Sequence, residues 1–124
     1  MKTKGYHILV VDDDPNVLLV TALALEGEGY RTTPALGGEA AIQALEQWNY
    51  DLVLTDLNMP GADGGDVLRK ARQSHPLAPV IIMTGSPDQL DNESDFASTP
   101  DIVLRKPFNM VELLSSLEGC LCPS

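Results

Sequence analysis

Six residues in this chain have types and positions that could do chemistry together: Asp12, Asp13, Asp14, Asp56, Thr84 and Lys106. Each lies just beyond a short apolar run. Three carboxylates follow Ile8-Leu9-Val10-Val11, and Asp56 follows Leu52-Val53-Leu54 after one threonine. Thr84 follows Val80-Ile81-Ile82-Met83, and Lys106 follows Ile102-Val103-Leu104 after one arginine. Clustered carboxylates repel: two unit charges about 4 Å apart cost on the order of 4 kcal/mol at an effective dielectric of 20. A hard divalent cation is the natural compensation. Mg²⁺ takes oxygen ligands, uses one or two carboxylates, and leaves other positions to water or phosphate oxygens. Solvated helix caps are the plainer reading of the aspartates. That reading suits Asp14, which precedes Pro15, because Asp favours N-caps and Pro the first helical position. It suits Asp56 poorly, since Asp56 closes an apolar run and is followed by Leu57.

The elements that must position these groups follow from the same runs. Each run is apolar at consecutive positions, as a strand covered on both faces reads. A weaker run, Arg31-Thr32-Thr33-Pro34-Ala35, carries a proline and polar residues and suits an edge strand. Helical stretches alternate with the strands. Asn16 to Glu28 follows the Asp14-Pro15 start, with Gly29 closing. Gly38 to Trp48 has an Ala41, Ile42, Leu45 stripe, and Gly65 to Ser74 a Val67, Leu68, Ala71 stripe. Asp88 to Ala97 is polar and poorly amphipathic, and Met110 to Leu121 has Val111, Leu114 and Leu117 as its core face. Strand and helix alternate five times, which predicts a three-layer α/β sandwich on a parallel sheet. In such sheets function gathers at the carboxyl ends of the strands, where all six residues fall.

Composition narrows the function classes. The 124 residues are the length of one domain, with a core over about residues 6–121, and the 44% apolar content suffices for one core. A net charge of −10 disfavours direct binding to nucleic acid or to an anionic membrane. No apolar run approaches the roughly 20 residues of a membrane span, and Met1-Lys2-Thr3-Lys4-Gly5-Tyr6 is not expected to be a signal peptide. Cys120 and Cys122 are too few and too close for a disulfide framework, and read as free thiols in a reducing cytoplasm.

Four motifs carry a resemblance: Val10-Val11-Asp12-Asp13-Asp14, Asp56-Leu57-Asn58-Met59-Pro60-Gly61-Ala62-Asp63-Gly64, Met83-Thr84-Gly85 and Lys106-Pro107-Phe108. Asp13 to Asp56 is 43 residues, Asp56 to Thr84 is 28, and Thr84 to Lys106 is 22. In order and spacing they resemble the receiver domain of two-component response regulators, from about Ile8 to Leu117. The resemblance implies a doubly wound (βα)5 sandwich, flavodoxin-like, with strand order 2-1-3-4-5. It implies a phosphorylation-dependent switch in which Asp56 accepts a phosphoryl group as a carboxylate nucleophile. Asp12, Asp13 and Asp56, with the backbone carbonyl of Asn58, would hold Mg²⁺. Lys106 would neutralise charge on the phosphoryl group and Thr84 would hydrogen-bond one of its oxygens. The Lys106–Pro107 peptide is expected to be cis.

The implied partners are a sensor histidine kinase or histidine phosphotransfer protein and a downstream protein or fused output domain. Helical periodicity places Val17, Val20, Thr21 and Ala24 toward the sheet and Leu18, Leu19 and Ala22 away from it. The latter three are the expected docking face for the kinase. A homodimer would use the Asp88–Ala97 helix, the last strand and the last helix.

Two features depart from the pattern. Val103 stands where many receivers carry an aromatic ring that reports phosphorylation, and valine has one stiff χ1 and no ring. Thr99-Pro100-Asp101 replaces the usual small residues before the last strand, and the Asp88–Asp101 region is expected to be mobile. Two rival readings remain open. The first is a small hydrolase of the haloacid dehalogenase type that uses Asp12-Asp13-Asp14 as its Asp-x-Asp motif. The second is an inactive receiver serving as a scaffold. His7 and His75 fall at opposite ends of elements and read as boundary residues, paired with no nucleophile.

Overall fold

Consecutive apolar residues in a strand send their side chains alternately to opposite faces, and the first strand shows what that produces. Leu9 and Val11 join a core cluster with Ala41, Leu45, Val67, Leu68 and Ala71. Ile8 and Val10 join a separate cluster with Leu18, Leu25, Leu113 and Leu117. One sheet therefore has a helical layer on each face. The computed structural model describes residues 5–86, 97 and 99–121.

The elements run β1 (His7–Asp12), α1 (Pro15–Gly27), β2 (Arg31–Leu36), α2 (Gly38–Gln47), β3 (Leu52–Asp56), α3 (Gly64–Ser74), β4 (Val80–Thr84), β5 (Ile102–Arg105) and α4 (Met110–Leu121). All pairings are parallel, in the order β2-β1-β3-β4-β5. Helices α2 and α3 cover one face, α1 and α4 the other. The fold is the expected flavodoxin-like sandwich. The helix expected over Asp88–Ala97 lies outside the described residues, Ala97 excepted.

Three expectations fail in detail, each for a physical reason. The face of α1 is rotated: Leu18, Ala22 and Leu25 are 7%, 5% and 0% exposed, whereas Val17 and Val20 are 42% and 63% exposed. The helix is apolar nearly all round, so periodicity does not fix its phase. The phase is set by its start, where Asp14 accepts from Asn16 N and Val17 N and Leu18, Ala22 and Leu25 fall at i, i+4 and i+7. In α4 the buried pair is Leu113 and Leu117, with Leu114 beside them and Val111 at 72% exposed. Here an Asn109–Glu112 pair of reciprocal bonds starts the helix, Glu112 N to Asn109 Oδ1 and Asn109 N to Glu112 Oε1, and turns Val111 outward. Finally, β5 is not covered on both faces: Val103 is exposed, because β5 is the far edge of the sheet.

The Thr99–Asp101 approach to β5 is tied down rather than loose. Arg72, buried on α3, donates to Thr99 O at 2.7 Å and pairs with Asp101 at 3.0 Å. Asp101 Oδ2 also accepts from Val80 N at 2.8 Å. The rest of the region expected to be mobile, Ala97 excepted, lies outside the described residues.

Candidate metal and phosphoacceptor site

The strand order changes direction at β1, so β1 and β3 lie side by side and their carboxyl ends open onto one cleft edge. Asp12 is the last residue of β1, Asp56 of β3 and Thr84 of β4, and Lys106 follows β5 directly. Asp12, Asp13 and Asp56 each place a carboxylate oxygen within 4.8 Å of the others. Asp12 and Asp56 are buried and Asp13 is exposed.

The local bonds explain how the chain holds this arrangement. Asp12 Oδ1 accepts from Asp14 N at 3.0 Å. Asp12 Oδ2 is buried with no hydrogen-bond partner. A buried carboxylate oxygen without a partner is costly, and the cost falls if a cation meets it. Burial raises the Asp12 carboxyl above the ordinary aspartate range. The Asp14 N–H opposes the shift, Asp56 adds to it, Lys106 opposes it and Asp13 adds to it. The donor set is three carboxylates, all hard oxygen ligands, which fits Mg²⁺.

Lys106 Nζ donates to Asp56 Oδ1 at 2.9 Å. The backbone reinforces that reach, since Lys106 N bonds Thr84 O at 2.8 Å. The Lys106–Pro107 peptide is cis, as expected. Thr84 is fully buried and its Oγ1 accepts from Ser86 N at 3.0 Å. Beyond Asp56 the chain turns sharply: Leu57 N bonds Met83 O at 3.0 Å and Gly64 N bonds Leu57 O at 2.9 Å. That turn requires glycine at 64, because a Cβ there would lie 2.5 Å from Asp56 O and 2.8 Å from Leu57 Cα. Asn58 sits exposed on the loop so closed.

The structure thus brings Asp12, Asp13, Asp56 and Lys106 together and sets Thr84 one strand away. Asp14 is spent elsewhere: its side chain caps α1, at 2.9 Å from Asn16 N and 3.4 Å from Val17 N. The hydrolase reading needed Asp14 as a second catalytic carboxylate. His7, at the amino end of β1, and His75, just after α3, lie away from the strands' carboxyl ends, both ring-packed on Tyr50. Sequence reasoning did not mark Gly64 or Glu39, the latter bonded to the loop after Asp56. Gly64 was visible only as the last residue of the Asp56 motif, and nothing in the spacing linked residue 39 to residue 62.

A second feature adjoins the cleft. Pro15, Leu18, Leu19 and Ala22 of α1 with Pro34 and Leu36 of β2 line an open apolar groove of about 200 Å³. The docking face expected at Leu18, Leu19 and Ala22 is therefore corrected. Leu18 and Ala22 form a buried floor, and the outward residues are Leu19, Val20 and Leu23. No helix among the described residues is long and apolar enough to cross a membrane.

Comparison with known proteins agrees with the geometry. The model of the response regulator receiver domain matches residues 8–118. The DNA-binding response regulator MtrA of Mycolicibacterium smegmatis is 36% identical over 121 residues, 98% of this chain and 53% of that protein. The transcriptional regulatory protein TcrA of Mycobacterium tuberculosis is 33% identical over 118 residues, 95% of this chain and 47% of that protein. The chain spans about half the length of the curated relatives it matches. Among solved structures, response regulator TrrA of Thermotoga maritima in complex with Mg²⁺-BeF has a TM-score of 0.83 at 34% identity, over 94% of this chain and 99% of that one. The receiver domain of sensor histidine kinase PA1611 of Pseudomonas aeruginosa, with a magnesium ion coordinated in the active-site cleft, has a TM-score of 0.82 at 31% identity, over 94% and 98%.

Proposed function

We propose a role that starts from one premise: this chain belongs to the response regulator receiver domain family, the signalling domain of two-component systems. The chain acts as a phosphorylation-dependent switch, and Asp56 is its phosphoacceptor. The observation that carries this reading is the Lys106 Nζ to Asp56 Oδ1 contact of 2.9 Å beside the Asp12–Asp13–Asp56 cluster. An acceptor carboxylate, a lysine cation and a metal-ready acid pair then share one strand-end cleft.

The chemistry is positioning and charge neutralisation. A carboxylate oxygen of Asp56 attacks phosphorus and forms an O–P bond. The P–N bond to the donor imidazole breaks, and its electron pair returns to the imidazole nitrogen, which takes up a proton. Lys106 holds Asp56 in place beforehand and offsets negative charge on the phosphoryl oxygens afterwards. Thr84 turns its hydroxyl to a phosphoryl oxygen once the group has arrived. Asp12, Asp13 and Asp56, with the Asn58 carbonyl, would hold Mg²⁺, which when bound would supply positive charge against the phosphoryl oxygens. The same groups support self-phosphorylation from small donors and self-dephosphorylation by water.

The donor is a phosphohistidine on a sensor kinase or phosphotransfer protein in the cytoplasm. It docks by α1, where Leu19, Val20 and Leu23 stand exposed beside the α1–β2 groove. The receiver, a single domain over residues 1–124, signals onward to a downstream protein or a fused output domain. The β5–α4 side, where Val103 and Val111 are exposed, is the homodimer surface.

Incubation with acetyl phosphate and Mg²⁺, followed by intact mass spectrometry, tests the assignment. The wild type gains one phosphoryl group, stable in acid and labile in base, and Asp56→Asn gains none. Equal labelling of the variant contradicts it.

A further inference from the structure

The amino end of α2 is bonded both to the end of β1 and to the loop that leaves Asp56, and nothing in the phosphoacceptor chemistry accounts for it. Gly37 N donates to Asp12 O at 2.9 Å, which fixes the β2–α2 corner against the end of β1. Two residues on, Glu39 Oε2 accepts from Ala62 N at 3.1 Å, across 23 residues of sequence. Ala62 lies on the loop that leaves Asp56, and that loop is closed at its base by Leu57 N to Met83 O and Gly64 N to Leu57 O. Asn58 sits between the pinned base and the point Glu39 holds. The packing is close on this side too. A Cβ added at Gly38 would overlap the Ala62 carbonyl, and one added at Gly61 would lie 2.6 Å from Glu39 Oε2.

We infer that Glu39 is a positioning residue for the metal site: by accepting the Ala62 N–H it holds the loop that presents the Asn58 carbonyl toward the aspartate cluster. This rests on the reading of Asn58 and the three aspartates as metal ligands. Several facts make Glu39 suited to the task. An ionised carboxylate accepts a backbone N–H more strongly than a neutral group does. Its place in the first turn of α2 is favourable for an anion. Gly37, the residue before α2, makes no side-chain capping bond, so Glu39 is the acidic group at this end. Groups that orient a metal ligand without touching the metal commonly change affinity by about 10–100-fold when removed.

The test is Mg²⁺ affinity by isothermal titration calorimetry, with the exchange rate of the Ala62 amide as an independent readout. Glu39→Ala is expected to weaken Mg²⁺ binding by about tenfold or more and to speed Ala62 exchange. Glu39→Gln, whose amide oxygen can still accept the N–H, is expected to restore most of the affinity. Leu45→Ala, six residues further along the same helix and buried in the core, is expected to lower stability without changing Mg²⁺ affinity. Wild-type affinity in Glu39→Ala overturns the inference, and so does a loss in Glu39→Gln as large as in Glu39→Ala, or in Leu45→Ala. Absence of Mg²⁺ binding by the wild type overturns the metal reading itself, and this inference with it. That outcome is distinct from a wild type that binds and a variant that binds equally well.

Discussion

Lys106 Nζ reaches Asp56 Oδ1 at 2.9 Å although their strands are not neighbours: β4 lies between β3 and β5. The lysine is the cation that meets the carboxylate cluster in the metal-free protein. Its side chain is 37% exposed against 10% for Asp56, so solvent screening limits the pair to about 1 kcal/mol. Lys106→Ala is therefore expected to lower metal-free stability by about that much, with a smaller loss at high salt. Urea melts at two ionic strengths check both parts. A salt-independent loss would assign the effect to packing instead.

Asp13 and Asp14 are adjacent in sequence and separate in role. Asp14 caps α1, so Asp14→Ala is expected to cost about 1 kcal/mol while leaving the stabilisation by Mg²⁺ intact. Asp13→Ala is expected to do the reverse. Melting curves of the two variants with and without Mg²⁺ show the crossing. If Asp14→Ala also loses the metal response, the aspartate run acts as a unit and the division of labour is wrong.

Gly64 is where the chain after Asp56 passes closest to itself. A Cβ would lie 2.5 Å from Asp56 O, against backbone that cannot swing away as a side chain could. Gly64→Ala is expected to destabilise by about 1–3 kcal/mol and to slow phosphorylation of Asp56, because relief of the overlap must move the acceptor or its loop. Denaturant unfolding and a labelling time course measure the two effects.

Much of this is legible in the sequence. β1, β3 and β4 are legible because they carry consecutive apolar residues, as two-sided burial demands, and the Asp56–Gly64 run marks the site. Helix faces were less legible. From Val17 to Leu25 only Thr21 interrupts α1's apolar residues, so a 100° periodicity has no preferred phase, and the Asp14 cap decided it. In α4 the Asn109–Glu112 exchange of bonds did the same. The Glu39–Ala62 contact joins residues from different βα units, and no local pattern encodes it. The strand order came with the family resemblance and not from the runs themselves.

At the amino end of β1, His7 ties the strand to two other segments. Asn49 O can only accept, so Nδ1 carries the proton in that 3.2 Å contact, and Nε2 accepts from the Thr33 hydroxyl at 2.7 Å. Burial lowers the His7 pKa and Arg31 lowers it further, against the Asn49 carbonyl and Asp51, which raise it. The unfolded chain then takes up the proton first. The stability His7 contributes is present above its ordinary value of 6.5 and is lost as pH falls through its lower folded value. His7→Gln is expected to flatten the fall in melting temperature between about pH 7 and pH 5, a range that brackets the ordinary histidine value. An unchanged slope would place the acid sensitivity elsewhere.

The central claim is that Asp12, Asp13 and Asp56 form one metal-dependent site, and a set of melting curves at fixed ionic strength tests it most directly. At 100 times its dissociation constant, Mg²⁺ is expected to stabilise the wild type by roughly 2.7 kcal/mol, several degrees in melting temperature for a domain of this size. Asp13→Ala and Asp56→Asn should each lose most of that gain, and Asp13→Ala, which sheds a repelling charge without breaking the Lys106–Asp56 pair, should be at least as stable as the wild type without metal. A wild type that gains nothing from Mg²⁺, or variants that gain as much as the wild type, would contradict the account.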